Sequence, residues 1–202
     1  KQYYDINKYD LKEKCTCESI LELVNESDVI FVCVPTPMKK DGSCDTSIVE
    51  GVVKNIDDIV YCFTNKSHKI VAIKSTIPPG TTNRLNKKCK NISVIFNPEF
   101  LTEANFIDDF KNQNRIIIGG ERPSTTKLRQ VYSLLFPDAT IVKTGSITAE
   151  MVKYFTNTFL ATKVSFANEM KMICDGLNID YDKVVEYSTY DKRLGKSHWA
   201  VP

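Results

Sequence analysis

Residues 28–34 read Asp28-Val29-Ile30-Phe31-Val32-Cys33-Val34, a run rich in β-branched side chains and apolar on both faces. A strand with one wet face would alternate apolar and polar residues. This one does not, so it reads as a strand buried between helical layers, and a parallel sheet is its natural host. Working outward, a short amphipathic stretch, Ser19 to Asn25, precedes it and a Val34-Pro35-Thr36-Pro37 loop follows. Ile48, Val49, Val52, Val53, Ile56 and Val60 recur at helical spacing and predict a helix from Thr46 to Phe63. Lys69 to Lys74 is again β-rich and stops before Pro78-Pro79-Gly80. A polar helix from Thr81 to Lys88 follows, then strands at Ser93 to Phe96 and Arg115 to Ile118, the latter closed by Gly119-Gly120. Pro123 suits the first turn of a helix running to Phe136, and Thr140 to Val142 makes one more strand. Strand and helix units repeated in this way predict a doubly wound α/β parallel sheet.

After Gly145 the pattern changes to a long helix from Thr148 to Gly176 and a shorter one from Asp180 to Tyr187, so a domain boundary is expected near Thr144, dividing residues 1–144 from 145–202. At 100° per residue, Phe155, Phe159, Phe166, Met170 and Ile173 share one side of the long helix, which is expected to pack; Lys153, Asn157, Ala161 and Asn168 share another.

The 202 residues are 42% hydrophobic, with 27 Lys+Arg against 25 Asp+Glu and a net charge of +2, so no global field marks a nucleic-acid-binding protein. No apolar run approaches the roughly 18 residues of a membrane span. Lys1-Gln2-Tyr3 has no leader character, and the chain reads as the interior of a longer one. Seven cysteines without a CxxC pair, and two distant histidines, disfavour a zinc site or disulfide framework; reduced, mostly buried thiols of a cytoplasmic protein are expected, with no metal.

Ligands of open α/β sheets bind beyond the strand C-terminal ends, so the loops there carry the chemistry. Gln2-Tyr3-Tyr4-Asp5 reads as a strand ending in a carboxylate: either a ribose-binding acid, which needs a glycine-rich turn upstream, or a solvated loop residue. The eight glycines include no GxGxxG. Val34 to Pro37 offers a rigid surface to a flat cofactor. Lys74-Ser75-Thr76 puts hydroxyls at a strand end, and the loop opens a helix whose free N–H groups can take a phosphate; a plain capped turn is the alternative. In Asn97-Pro98-Glu99-Phe100-Leu101-Thr102-Glu103-Ala104, Glu99 and Glu103 would share a face if the segment were helical, one of them a general base, unless this is a solvated acidic turn. Lys153 and Asn157, four apart on a helix, could stabilise a developing oxyanion.

In order, Val34 to Pro37 (VPTP), Ser75 to Thr82 (STIPPGTT), Asn97 to Glu103 (NPEFLTE), Asp109-Phe110 with Arg115 to Gly120, Ala149 to Glu169 and Asp191 to Gly195 resemble the UDP-glucose 6-dehydrogenases, within the wider UDP-sugar and GDP-mannose dehydrogenases. The resemblance covers nearly the whole chain. It implies a Rossmann-like NAD-binding domain over 1–144, lacking its first strand and glycine-rich turn, and a central helical, dimer-forming domain over 145–202. It further implies oxidation of UDP-glucose by two NAD and water to UDP-glucuronate and two NADH, through a cysteine thioester. By resemblance, Glu99 activates the hydrolytic water, Thr76 positions a water, and Lys153 and Asn157 stabilise the oxyanion. Asp5, Val34, Pro35, Thr36, Ser75, Thr76 and Glu103 fall to the cofactor. Glu99, Phe100, Leu101, Lys153, Asn157 and Arg193 fall to the sugar nucleotide. The implied partner is a second copy in a homodimer or higher homo-oligomer.

The family's glycine-rich fingerprint would precede Lys1 and its nucleophilic cysteine, in a GGxCFPKD segment, would follow Pro202; Cys174 stands too early to replace it. The residues alone are therefore expected not to complete the reaction. Oxidation of UDP-N-acetylmannosamine or GDP-mannose, and a non-catalytic dimerisation module, are the competing readings.

Overall fold

The computed structural model describes residues 8–10, 14–63, 68–102 and 104–201. The order of elements is α1 (Ile20–Glu26), β1 (Val29–Val32), α2 (Ser47–Cys62), β2 (Lys69–Ile73), α3 (Thr81–Lys88), β3 (Ile92–Phe96), α4 (Phe106–Lys111), β4 (Arg115–Gly119), α5 (Ser124–Leu135), β5 (Thr140–Thr144), α6 (Ser146–Gly176) and α7 (Tyr181–Ser188). Contacts divide the chain into two compact units between Lys153 and Tyr154. The expected opening strand and Asp5 lie outside the described residues.

In the first unit the strands form one sheet, β1-β2-β3-β4-β5. Side chains alternate across it with period two. Ile30, Val32, Val71, Ile73, Val94 and Phe96 face α2, α3 and the first turns of α6, where Val49, Val53, Ile56, Leu85 and Ala149 bury against them. Ile70, Ala72, Ile95, Ile116 and Ile118 face α5 through Leu128 and Tyr132. Helices thus cover both faces, giving the doubly wound, Rossmann-like α/β architecture that the strand and helix alternation implies.

The sheet departs from an all-parallel one at a single place. β1/β2, β2/β3 and β4/β5 pair parallel, whereas β3 and β4 meet antiparallel through one pair, Phe96 with Gly119. Across that narrow junction the Asn97 side chain supplies a hydrogen bond that a longer ladder would provide, Nδ2 donating to the Ile117 carbonyl at 2.8 Å. The connection holds α4, a six-residue helix with no buried residue, which leaves no apolar periodicity to read in the sequence.

Local chemistry fixes the element ends. Ser19 caps α1 by accepting the Glu22 N–H, while the Glu22 carboxylate accepts the Glu18 N–H at 2.7 Å, a close variant of a capping box. The buried Asp57 carboxylate accepts the Asn91 and Lys90 N–H groups, at 2.8 and 3.1 Å, and closes the turn into β3. At Gly119 a Cβ would stand 2.4 Å from the Ala149 Cβ, so only glycine lets the start of α6 settle onto the end of β4.

In the second unit, Ala167, Cys174 and Tyr181 are buried. Residues 191–201 wrap onto α6 around Trp199: Lys163 lies 4.4 Å over its indole and donates to the Leu194 carbonyl, and the Tyr181 hydroxyl donates to the Trp199 carbonyl. Contrary to the expected packing of the phenylalanine side, Phe155, Phe159 and Phe166 are 70, 60 and 54% exposed, because α7 and the 191–201 segment supply too little surface to cover a helix of 31 residues. All seven cysteines are free, and only Cys17, Cys89 and Cys174 are buried, fewer than expected. Among the described residues no helix is long and apolar enough to cross a membrane.

Candidate active site

The C-terminal ends of β1, β2 and β3 bring together loops that lie well apart in the chain, Lys74 and Asn97 by 23 residues and Val34 and Ser75 by 41. Ser75, just past β2, ties two of them. Its hydroxyl donates to the Val34 carbonyl at 2.7 Å and accepts the Val34 N–H at 2.9 Å. The Ser75 oxygen is thereby committed to holding the Val34-to-Pro37 loop. Pro35 and Pro37 stand exposed on that loop, Thr36 and Thr76 are half-buried, and the Thr76 hydroxyl has no partner among the described residues. A proline-stiffened edge beside an uncommitted hydroxyl fits a flat dinucleotide laid across the strand ends.

Past β3, residues 97–102 form no helical turn, so the helical juxtaposition of Glu99 with Glu103 does not arise there; Glu103 itself lies outside the described residues. Glu99 is met instead by Lys153 of α6. The Lys153 Nζ donates to Glu99 Oε1 at 3.0 Å and to the Glu99 carbonyl at 2.6 Å. The other carboxylate oxygen, Oε2, accepts the Leu101 N–H at 2.6 Å. The Lys153 side chain is 4% exposed and that of Glu99 34%, so the ammonium is enclosed while the carboxylate still meets solvent. Two cations approach the Phe100 ring, the Arg115 guanidinium at 4.3 Å and the Lys153 ammonium at 5.3 Å from its centroid. Thr102 is tethered to α4 by donating its N–H and hydroxyl to Asp109 Oδ2, at 2.8 and 2.6 Å, and these bonds hold the Asp109 carboxyl below its ordinary range.

Beneath this pair sits a polar cluster for which sequence reasoning gave no role. Asn97, 1% exposed, accepts from the Tyr132 hydroxyl at 2.5 Å and from Lys74 Nζ at 3.4 Å on the same Oδ1. Burial pushes the Lys74 ammonium pKa down and the Tyr132 hydroxyl well up. Cys33, at the end of β1, has its thiol pushed up by desolvation, with Glu99 adding to the effect and Lys74 opposing it. The only hint in sequence is that Lys74 and Asn97 each directly follow a buried strand.

Asn157 and Arg193 belong to the second unit; Asn157 is exposed, and the Arg193 guanidinium pairs with Asp191 at 2.5 Å. Away from the strand ends, Cys17, Glu22 and Glu26 bring one ligand atom each within 4.8 Å of one another, a set that could hold a metal, although one Glu22 oxygen already serves the α1 cap.

A doubly wound sheet with such an edge has the architecture of a dinucleotide-binding domain. Residues 7–136 match the NAD binding domain of the UDP-glucose/GDP-mannose dehydrogenase family, and residues 147–200 match the central domain of that family. The chain belongs to this family. It is 32% identical to the UDP-glucose 6-dehydrogenase TuaD of Bacillus subtilis, covering 96% of this chain and 44% of that protein. A solved UDP-glucose dehydrogenase from the archaeon Pyrobaculum islandicum superposes with a TM-score of 0.82 at 36% identity, covering 91% of this chain and 43% of that one. A GDP-mannose dehydrogenase from Pseudomonas aeruginosa gives 0.77 at 32%, covering 85% and 41%. The chain therefore spans less than half the length of these relatives.

Proposed function

We propose that the protein to which this chain belongs oxidises UDP-glucose to UDP-glucuronate in the cytoplasm, taking up water and passing four electrons to two NAD. The observation that carries the reading is the enclosed Lys153 ammonium held on Glu99 at the strand ends, beside the Ser75-Thr76 and Val34-to-Pro37 loops. NAD, when bound, supplies the hydride acceptor. Val34, Pro35, Thr36, Ser75 and Thr76 would hold it, with Asp5 and Glu103 completing its site.

Lys153 needs no reorganisation to meet negative charge, since its ammonium is already desolvated and aimed. It stabilises the oxyanion that develops as the sugar carbon is oxidised, together with Asn157. Glu99 keeps a solvent-facing carboxylate whose remaining lone pairs can take a proton from the water that hydrolyses a thioester, with Thr76 positioning that water. Phe100 and Leu101, and Arg193 from the second unit, contact the sugar nucleotide. The exposed Phe155, Phe159 and Phe166 form the face through which two copies pair.

The test is NADH formation at 340 nm by the full-length protein with UDP-glucose, GDP-mannose and UDP-N-acetylmannosamine in parallel. Two NADH per UDP-glucose are expected, and Lys153→Ala should lower the first oxidation by about 100-fold or more. Turnover of another sugar nucleotide alone would reassign the substrate, and no turnover of any would leave a binding or assembly module.

A further inference from the structure

Glu150 is fully buried near the start of α6, yet among the described residues the partners of its carboxylate lie at the N-terminus of α3, about 70 residues earlier. Helix α3 is preceded by Gly80 at its N-cap, whose φ of 93° suits glycine and which has no side chain to cap the helix. Its free N–H groups are capped from outside. Glu150 Oε2 accepts the Gly80 N–H at 2.5 Å, and Oε1 accepts the Thr82 N–H at 2.8 Å and the Thr82 hydroxyl at 2.6 Å. A buried carboxylate with three donors at the positive end of a helix is a strong and directional lock. One turn further along α6, three residues on, Lys153 makes its two bonds to Glu99. Residues i and i+3 of a helix point to the same side, so fixing one fixes the azimuth and height of the other.

We propose that Glu150 is a positioning residue: by capping α3 it sets the rotation and height of the first turns of α6, and so brings Lys153 onto Glu99. The catalytic part of this inference rests on the function proposed for Lys153 above. The structural part stands without it, because the Leu101 amide, bonded to Glu99 Oε2, reports how firmly the carboxylate is held.

The experiment uses the full-length protein with Glu150→Gln, Lys153→Met and the pair together, read by hydrogen exchange at the Leu101 amide and by kcat. Glu150→Gln should speed Leu101 exchange by about ten- to a hundredfold and lower kcat by a similar factor. In the Lys153→Met background it should add less than about twofold to either, because the route through Lys153 is already cut. Thr82→Val, which removes only the hydroxyl donor, should act in the same direction and decides the matter if Glu150→Gln fails to fold. Faster exchange confined to the start of α3, or full additivity with Lys153→Met, would reduce Glu150 to a helix cap and overturn the proposal. The exchange readout needs no turnover, so a wild type that oxidises no sugar nucleotide would defeat the functional reading alone.

Discussion

Asn97 is the place where one substitution reaches both the sheet junction and the floor of the site. Replacing it with Leu keeps the approximate shape but removes the bond to the Ile117 carbonyl and the acceptor for Tyr132. Each neutral bond contributes about 1 kcal/mol net, and a buried hydroxyl left without a partner costs a further 1–3 kcal/mol or so. Tyr132 is only 5% exposed, so water cannot readily replace the lost acceptor. Asn97→Leu should therefore cost about 3–5 kcal/mol, read as a lower urea midpoint at unchanged slope by far-UV circular dichroism of the full-length protein. Much of that loss belongs to the stranded hydroxyl, which gives a sharper check. Adding Tyr132→Phe should recover about 1–2 kcal/mol, so the double variant is more stable than Asn97→Leu alone. A cost below about 1 kcal/mol for Asn97→Leu, or a Tyr132→Phe change that adds its own loss in full, would refute the account of the junction.

Two further outcomes test the edge above it. Ser75→Ala should release the Val34-to-Pro37 loop and raise the KM for NAD by about five- to tenfold with kcat within about twofold; an unchanged KM would mean the prolines hold the loop unaided. Alkylation of Cys33, followed by peptide mass mapping, should show a pH midpoint above that of a free thiol. Lys74→Met should move it higher still, since the opposing charge is gone, and no movement would refute the pairing. The linkage sign follows: a raised thiol pKa contributes stability that is complete below the ordinary thiol range and is lost as pH rises through the folded-state value.

What was legible in the sequence follows from how local each signal is. β-branched runs and 3.6-residue periodicity lie within single elements, so β1, α2, β2 and the long α6 were readable within a few residues of their ends. α4 was not, because six residues with no buried side chain leave no pattern. The antiparallel turn at β4 escaped because alternation of strand and helix does not say whether a connection recrosses the sheet. Spacing alone suggested Glu99 with Glu103 and Lys153 with Asn157. The pairing that forms, Lys153 with Glu99, joins positions 54 apart, and only the ordered motifs of a family hinted that both serve one site. Glu150 was invisible for the same reason: an acid beside an alanine at a helix start reads as ordinary until α3 is placed against it.

The close seating of Ala149 on Gly119 makes the start of α6 a ruler as well as a joint. Along a helix each residue advances about 1.5 Å and turns about 100°. Deleting or inserting one residue between Ala149 and Lys153 would leave the seat intact and swing the ammonium through more than a quarter turn, away from Glu99. Met151 and Val152 can vary in this interval, but the number of residues cannot, so the four-residue step from seat to ammonium is a constraint on chain length that no inventory of contacts would reveal.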